Sequence, residues 1–228
     1  MKWRSLEETA SRADERLLAE IYSERKQLIA RYVPVQTQEI HARVVADLQG
    51  EHFAAGALKS GVKAPPFELR DHNGNPVSST ELLGKGPLVI CFFRGRWCPF
   101  CVAQLQAMNL VVPEIQQAGA SFIAISPQTV QQSFFMHDQH KLRFPLLSDP
   151  GNRVARQFGL VYKVPDYQQA LYKRVFVNLA HTNGDESWEL PIPATFILDR
   201  DGGILFASAN EDYTERPEPA EILSRLKR

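Results

Sequence analysis

Sulfur is scarce in this chain of 228 residues, which has three cysteines and three methionines. A chain of this length buries a sizeable core, as one domain with an extension or as two small ones, and does not need disulfide staples. Net charge is also missing, because 26 Lys and Arg balance 26 Asp and Glu. That balance removes the electrostatic signature of a nucleic-acid binder or of a protein held on an anionic membrane. Low-complexity tracts are absent, and no stretch approaches the ~18 apolar residues of a membrane span. The opening residues, MKWRSLEETASRADERLL, lack the apolar run of ~7–15 residues behind a secretory signal. We therefore expect a cytoplasmic protein with no nucleic-acid or membrane partner, acting on a small molecule or another protein.

Metal ligands are sparse as well. The six histidines supply no second Cys/His pair at zinc-ligand spacing. His137 and His140 stand three apart in FMHDQHK without a thiol or carboxylate cluster beside them, and read as a solvated helix face. No metal and no cofactor is expected. What the chain does have is a concentration of thiols: all three cysteines lie in CFFRGRWCPFC, from Cys91 to Cys101. In a reducing compartment two close cysteines are more often redox-active or metal-binding than structural.

Residues 1–60 read as a helical extension. Ser5 and Glu8 form a capping-box pattern. Leu6, Ala10, Ala13, Leu17, Ile21, Leu28 and Tyr32 recur at helical steps up to YVPV, where Pro34 ends the run. A second helix should place Ile40, Val44, Val45 and Leu48 inward and stop near Gly50. The pair either packs on the rest of the chain, the favoured reading, or serves as the arm of a homodimer. From residue 61 to 228 short strands alternate with helices, the signature of an α/β domain with a mixed sheet. PPFELRDHNGNPVS reads as a hairpin around NG. PLVICFF and SFIAIS are strands buried on both faces, and ATFILD and GILFAS flank the turn RDGG. Helices are expected in VAQLQAMNLVVPEIQQAG, TVQQSFFMHDQHK, NRVARQFG and PEPAEILSRLKR. An insertion at about 161–190 holds DYQQALYKRVFVNLA, read as one helix.

The strand PLVICFF gives way to helix at Pro99, which puts Cys98 at a helix N-terminus. Unpaired N–H groups and the positive end of the macrodipole favour a thiolate there, lowering its pKa from ~8.5. Pro99 suits the first helical position, where its missing N–H costs nothing. Cys101 sits one turn on, facing Cys98, and can resolve an oxidised state. Arg94 and Arg96 flank the turn, and at least one should point inward to favour the charged sulfur, Arg94 being the choice. Phe93 and Trp97 should wall the sulfur with apolar surface, which makes a nearby charge more effective. Cys91, mid-strand, reads as a small buried hydrophobe.

WCPFC after an apolar strand, together with PIPATFILDRDGGIL, resembles the thioredoxin superfamily. That resemblance implies a proline before the TF strand, here Pro193, with a cis bond at Ile192–Pro193 and a place against the reactive pair. GVKAPPFELRDHNG, PLLSDPGNRVARQFGL and TFILDRDGGI resemble peroxiredoxins of the AhpC/TSA group over about residues 61–210, and within that group a subgroup with a thioredoxin-type CxxC. The resemblance implies a thioredoxin-like, peroxiredoxin-type fold. Three departures stand out. In the PxxxTxxC spacing, Arg94 occupies the place of Pro and Cys98 that of Thr; Pro193 replaces an activating Arg; and Phe92 stands where thioredoxins bury an acid. That register would make Cys101 the peroxide-reactive thiol, whereas the helix N-terminus nominates Cys98.

Three activities fit. A thiol-dependent hydroperoxide reductase would cycle through a Cys98–Cys101 disulfide, reduced by a thioredoxin- or glutathione-type thiol system. A dithiol–disulfide oxidoreductase would act on a disulfide substrate through a mixed disulfide. A redox-sensing interaction module would use the thiol state to move its helices. Catalytic candidates are Cys98, Cys101, Arg94, Arg96, Trp97 and Pro193.

Overall fold

A computed structural model describes residues 17–227. The expected capping box at Ser5 and Glu8, and the helix positions Leu6, Ala10 and Ala13, lie outside the described residues. The first described helix, α1 (Leu18–Tyr32), buries Leu18, Ile21, Tyr22 and Arg25, an i, i+3, i+4, i+7 stripe. Its buried face is shifted from the expected one. Leu17 is the N-cap and 55% exposed, and Tyr32, in the last turn, is 44% exposed. Val33 ends the helix in an extended conformation, as a residue before proline must. Helix α2 (Val35–Gly50) buries Thr37, Val44 and Leu48, with Val45 half-buried.

The body of the chain is a seven-stranded mixed sheet in the order β2-β1-β5-β4-β3-β8-β9. Strands β1 (Glu68–Asp71) and β2 (Pro76–Ser78) form the hairpin, pairing Glu68 with Ser78 and Leu69 with Val77. The Asp71 carboxylate closes its turn, accepting from the amides of Asn73 and Asn75 at 2.8 Å each. Helix α3 (Ser79–Lys85) leads to β3 (Leu88–Phe92), and helix α4 (Pro99–Gln117) to β4 (Ser121–Ser126). Helix α5 (Val130–His140), β5 (Leu146–Ser148) and α6 (Arg153–Gln157) follow. Strands β3, β4 and β5 are parallel neighbours, and β8 (Ala194–Leu198) lies antiparallel to β3. Strand β9 (Ile204–Ala209) forms one edge, and α9 (Pro219–Leu226) closes the described chain.

Strand β3 is buried at every position, and its period of two divides the core. Val89 and Cys91 join one cluster with residues of α1, α4, α5 and α9. Leu88, Ile90 and Phe92 join another with residues of α2 and α6. The two N-terminal helices thus pack on the body of the chain, one with each core cluster, and between them they straddle the loop that follows β3.

The segment at 161–190 is built differently from the single expected helix. Strand β6 (Val161–Lys163) pairs with β7 (Glu189–Pro191) as a separate two-stranded ribbon around α7 (Asp166–Arg174) and α8 (Leu179–Asn183). Helix α7 stops because Phe176 takes a positive φ of 63° and turns 94% of its surface outward. Asn178 then caps α8 by accepting from the His181 amide at 3.0 Å. Among the described residues no helix is long and apolar enough to cross a membrane.

Candidate active site

Beyond β3 the chain leaves the sheet, with the Phe93 amide donating to the Ile125 carbonyl at 3.0 Å. Gly95 has φ +146°, and a Cβ there would meet Trp97 Nε1 at 2.6 Å, so this turn requires glycine. The Cys98 amide returns to the Gly95 carbonyl at 3.1 Å. Cys98 is the N-cap of α4, extended at φ −93° and ψ 107°, and Pro99 supplies the first helical residue. The Cys101 amide donates to Cys98 Sγ at 3.4 Å, so the sulfur takes the place of the oxygen in an ordinary N-cap. Both thiols are fully buried.

Arg94 turns inward. Its Nη2 donates to Cys98 Sγ at 3.1 Å, and the residue is 4% exposed. Its guanidinium carbon lies 3.9 Å from the ring centre of Tyr213 and 5.2 Å from that of Trp97, so aromatic faces take over part of the solvation that burial removes. Trp97 packs edge-on against Tyr172 at 5.3 Å. Arg96 goes elsewhere: its amide donates to Gln128 Oε1 at 3.0 Å and its Nη1 to Gln132 Oε1 at 3.1 Å. Of the two arginines beside the turn, one is brought to the sulfur and the other pins the loop toward α5.

Burial opposes a Cys98 thiolate, but the hydrogen bond from the Cys101 thiol and the Arg94 charge outweigh it and hold Cys98 well below the usual cysteine range. Burial, the hydrogen bond it gives Cys98 and the thiolate's charge hold Cys101 well above that range. The pair is therefore polarised, one sulfur charged and the other carrying the proton. Cys91 is a core residue: it lies 3.5 Å from Thr195 Oγ1, and burial pushes its thiol up to about 11.

The bond at Ile192–Pro193 is trans, since no cis peptide occurs among the described residues. The expectation of a cis bond is thereby corrected. Only Ile192 and Pro193 separate β7 from β8, and the Ile192 amide donates to the Leu160 carbonyl at 2.7 Å. The chain runs on from one strand into the next, which suits the trans form that most X–Pro bonds adopt. Pro193 helps line a small cavity that Arg94 and Tyr213 also border. The histidine face of α5 also differs from expectation: His137 stacks on His72 at 3.6 Å, and His140 Nδ1 lies 3.1 Å from Gln106 Nε2. The hairpin of β1 and β2 brings His72 there, so that face is partly packed rather than solvated. Among the described residues no three metal-ligating side chains converge.

Sequence reasoning missed the aromatic surroundings. Burial raises the phenols of Tyr162, Tyr172 and Tyr213, the last to about 12, while the Arg94 charge pulls each down. They therefore stay neutral around the cation. Tyr22 reaches from α1 to donate to the Phe100 carbonyl at 2.7 Å, which ties the N-terminal extension to the first turn of α4. No local pattern marks these residues, because they come from four separate segments. A cavity of about 430 Å³ opens between α1, α2 and the reactive loop, and Arg94, Trp97, Pro99 and Phe100 form its inner wall.

Comparison with known proteins bears on the family and the fold. The AhpC/TSA family model matches residues 60–207. A chloroplastic peroxiredoxin Q of Sedum lineare is 30% identical over 172 residues, 75% of this chain and 80% of that protein. The thiol-disulfide oxidoreductase ResA of Bacillus cereus is 23% identical over 78% of this chain and 84% of that protein. Among solved structures, the peroxidoxin BcpB of Mycobacterium tuberculosis superposes with a TM-score of 0.59 at 24% identity, covering 75% of this chain and 97% of that one. A PrxQ variant of Xylella fastidiosa gives 0.60 at 17% identity, over 75% and 96%. These two share the thioredoxin-like sheet seen here. By the extent of the family match and by its relation to peroxiredoxin Q, the chain belongs to the AhpC/TSA family and carries that family's thiol-peroxidase framework.

Proposed function

We propose that the protein is a thiol-dependent hydroperoxide reductase with Cys98 as nucleophile and Cys101 as resolving thiol. The observation that carries this reading is the buried Cys98 sulfur, which accepts from Arg94 Nη2 at 3.1 Å and from the Cys101 amide at 3.4 Å. The thiolate attacks one peroxide oxygen, the O–O bond breaks, and the departing oxygen leaves as water or an alcohol after taking a proton. Cys98 is then a sulfenic acid. The Cys101 sulfur attacks it, expelling water and forming the Cys98–Cys101 disulfide. An external thiol system, one dithiol of the thioredoxin type or two thiols of the glutathione type, returns two electrons and two protons by thiol–disulfide exchange. Arg94 stands beside the reacting sulfur and supplies the positive charge of the activating Arg that Pro193 replaces.

The ResA relationship and the CxxC spacing favour a second reading, a dithiol–disulfide oxidoreductase. Complete burial of both sulfurs beneath α1 and α2 favours a small oxidant over a protein disulfide, and the trans bond at Pro193 withdraws one support for that second reading. Consumption of reducing equivalents driven by hydrogen peroxide, set against reduction of insulin disulfides, separates them. Peroxide-driven turnover that disappears in Cys98→Ser supports the peroxidase. Insulin reduction without peroxide turnover overturns it.

A further inference from the structure

We propose that Arg216 is a second functional cation of the reactive site, a positioning residue that favours negative charge on Cys101 while that sulfur resolves the oxidised Cys98. This inference rests on the peroxidase reading and extends it to the second step. Arg216 lies in the segment between β9 and α9, beyond the 60–207 span of the family match, so the match does not account for it. Its Nε and Nη2 donate to the Tyr213 carbonyl at 3.1 and 2.6 Å. The Tyr213 ring in turn packs on that of Phe100 at 5.6 Å, and Phe100 immediately precedes Cys101. Arg216 Nη1 is buried with no hydrogen-bond partner, which is uncommon for a buried donor. Among the described residues no carboxylate forms an ion pair with Arg216. Its charge is therefore not cancelled locally.

Three elements converge on that charge. Burial raises Tyr22 of α1, Cys101 of α4 and Cys91 of β3, and Arg216 pulls against it at all three. The Tyr22 hydroxyl itself donates to the Phe100 carbonyl at 2.7 Å, so the guanidinium stands on the Cys101 side of the pair. The other sulfur is served by Arg94, which donates to Cys98 Sγ at 3.1 Å. At Cys101 the Arg216 charge is felt more strongly than that of Arg94. The two arginines thus divide the thiols between them.

In the reduced pair Cys101 keeps its proton because of burial, the hydrogen bond it gives Cys98 and the thiolate's charge. Oxidation of Cys98 to a sulfenic acid removes the last two, and Cys101 must then become the nucleophile. Its thiol gives a proton to the departing hydroxyl, its sulfur displaces that hydroxyl from Cys98, water leaves and the disulfide forms. Cys101 is fully buried, and a sulfur in that position develops negative charge most readily beside a cation.

The test separates the charge of Arg216 from its hydrogen bonds. Arg216→Gln retains a donor for the Tyr213 carbonyl and loses the charge, whereas Arg216→Lys retains the charge and loses the planar fork. Reduced wild type and both variants are mixed with hydrogen peroxide, quenched with acid and analysed by mass spectrometry. Loss of the reduced form reports the first step, and conversion of sulfenic acid to disulfide, independent of peroxide concentration, reports the second. In Arg216→Gln the first step is expected to be unchanged and disulfide formation to slow about tenfold, the effect of one pKa unit at Cys101. Sulfenic acid should accumulate, with more Cys98 sulfinic acid under excess peroxide, and the pH midpoint of disulfide formation should rise. Arg216→Lys should restore most of the rate. Disulfide formation at the wild-type rate in Arg216→Gln overturns the assignment. Equal slowing of disulfide formation in both variants, or parallel slowing of both steps, overturns it as well by showing a structural role alone. Each of these results leaves the peroxidase reading intact. If hydrogen peroxide does not oxidise the wild type, the peroxidase reading falls and takes the role of Arg216 with it.

Discussion

Arg94 Nη2 sits 3.1 Å from Cys98 Sγ, with Cys98 fully buried and Arg94 only 4% exposed. An isolated guanidinium in that position would be strongly destabilising, as would an isolated thiolate. Each is tolerated because of the other, and this pairing sets the chemistry of the site.

Replacing the cation exposes the dependence. Arg94→Met should raise the Cys98 pKa by at least one unit, about 1.4 kcal/mol of lost preference for the thiolate. The thiolate absorbance at 240 nm, followed against pH, measures it. Arg94→Lys should recover only part of the effect, because an ammonium lacks the flat face that lies over Tyr213. Arg96→Met, with its guanidinium on Gln132, should leave the titration where it is.

Tyr213 should influence the sulfur through Arg94, whose guanidinium lies over its ring. Removing the ring 3.9 Å from the guanidinium should cost about 0.5–2 kcal/mol of cation–π attraction. Tyr213→Leu is therefore expected to lower stability and to raise the Cys98 pKa by less than Arg94→Met does. An unshifted titration would separate the aromatic cage from the chemistry.

The reduced protein should lose stability on acidification through Cys98. Its folded pKa is depressed, by the Cys101 hydrogen bond and the Arg94 charge working against burial. The stabilising contribution is thus complete above the ordinary thiol value of ~8.5 and is lost as pH falls through the depressed folded value. The difference in Tm between wild type and Cys98→Ala, measured from pH 8.5 downward, should shrink steadily with falling pH.

Much of this could be read from the chain. The buried strand PLVICFF, the NG hairpin and the helix beginning at Pro99 are local patterns, and they suffice to put Cys98 at a helix N-terminus and to mark Cys91 as inert. The inward turn of Arg94 was expected from its place at the strand end. The cage around it was not legible, because Tyr162, Tyr172 and Tyr213 are brought together only by the ribbon of β6 and β7 and by the segment after β9. The face of α1 was misjudged for a related reason. Leu17 and Ile21 have helical spacing, but burial is decided by what α4 offers, and it meets Leu18, Ile21 and Tyr22. The cis bond expected at Pro193 rested on likeness alone, and the extended run from β7 into β8 overrides it.

Two further contacts that fasten the N-terminal segment can be released singly. The Glu218 carboxylate accepts from the amides of Leu18 and Ala19 at 2.8 Å each, capping α1 from the far end of the chain. Glu218→Ala should cost about 1 kcal/mol, as loss of a helix cap does. Gly159 has φ +73°, and a Cβ there would come within 2.1 Å of the Gly56 carbonyl oxygen. Gly159→Ala should cost more, about 2–4 kcal/mol, since backbone must move. Thermal melts of both variants provide the comparison, and equal stability of Gly159→Ala and wild type would contradict the packing described.

Trapping of the sulfenic acid tests the identity of the nucleophile most directly. Cys101→Ser and Cys98→Ser proteins, each reduced, are exposed to one equivalent of hydrogen peroxide with dimedone present, and the adducts are mapped by mass spectrometry. A dimedone adduct on Cys98 in Cys101→Ser, with Cys101 unmodified in Cys98→Ser, is the predicted result. Rapid adduct formation on Cys101 in Cys98→Ser, with none on Cys98 in Cys101→Ser, would contradict it and return the peroxidatic role to the second thiol.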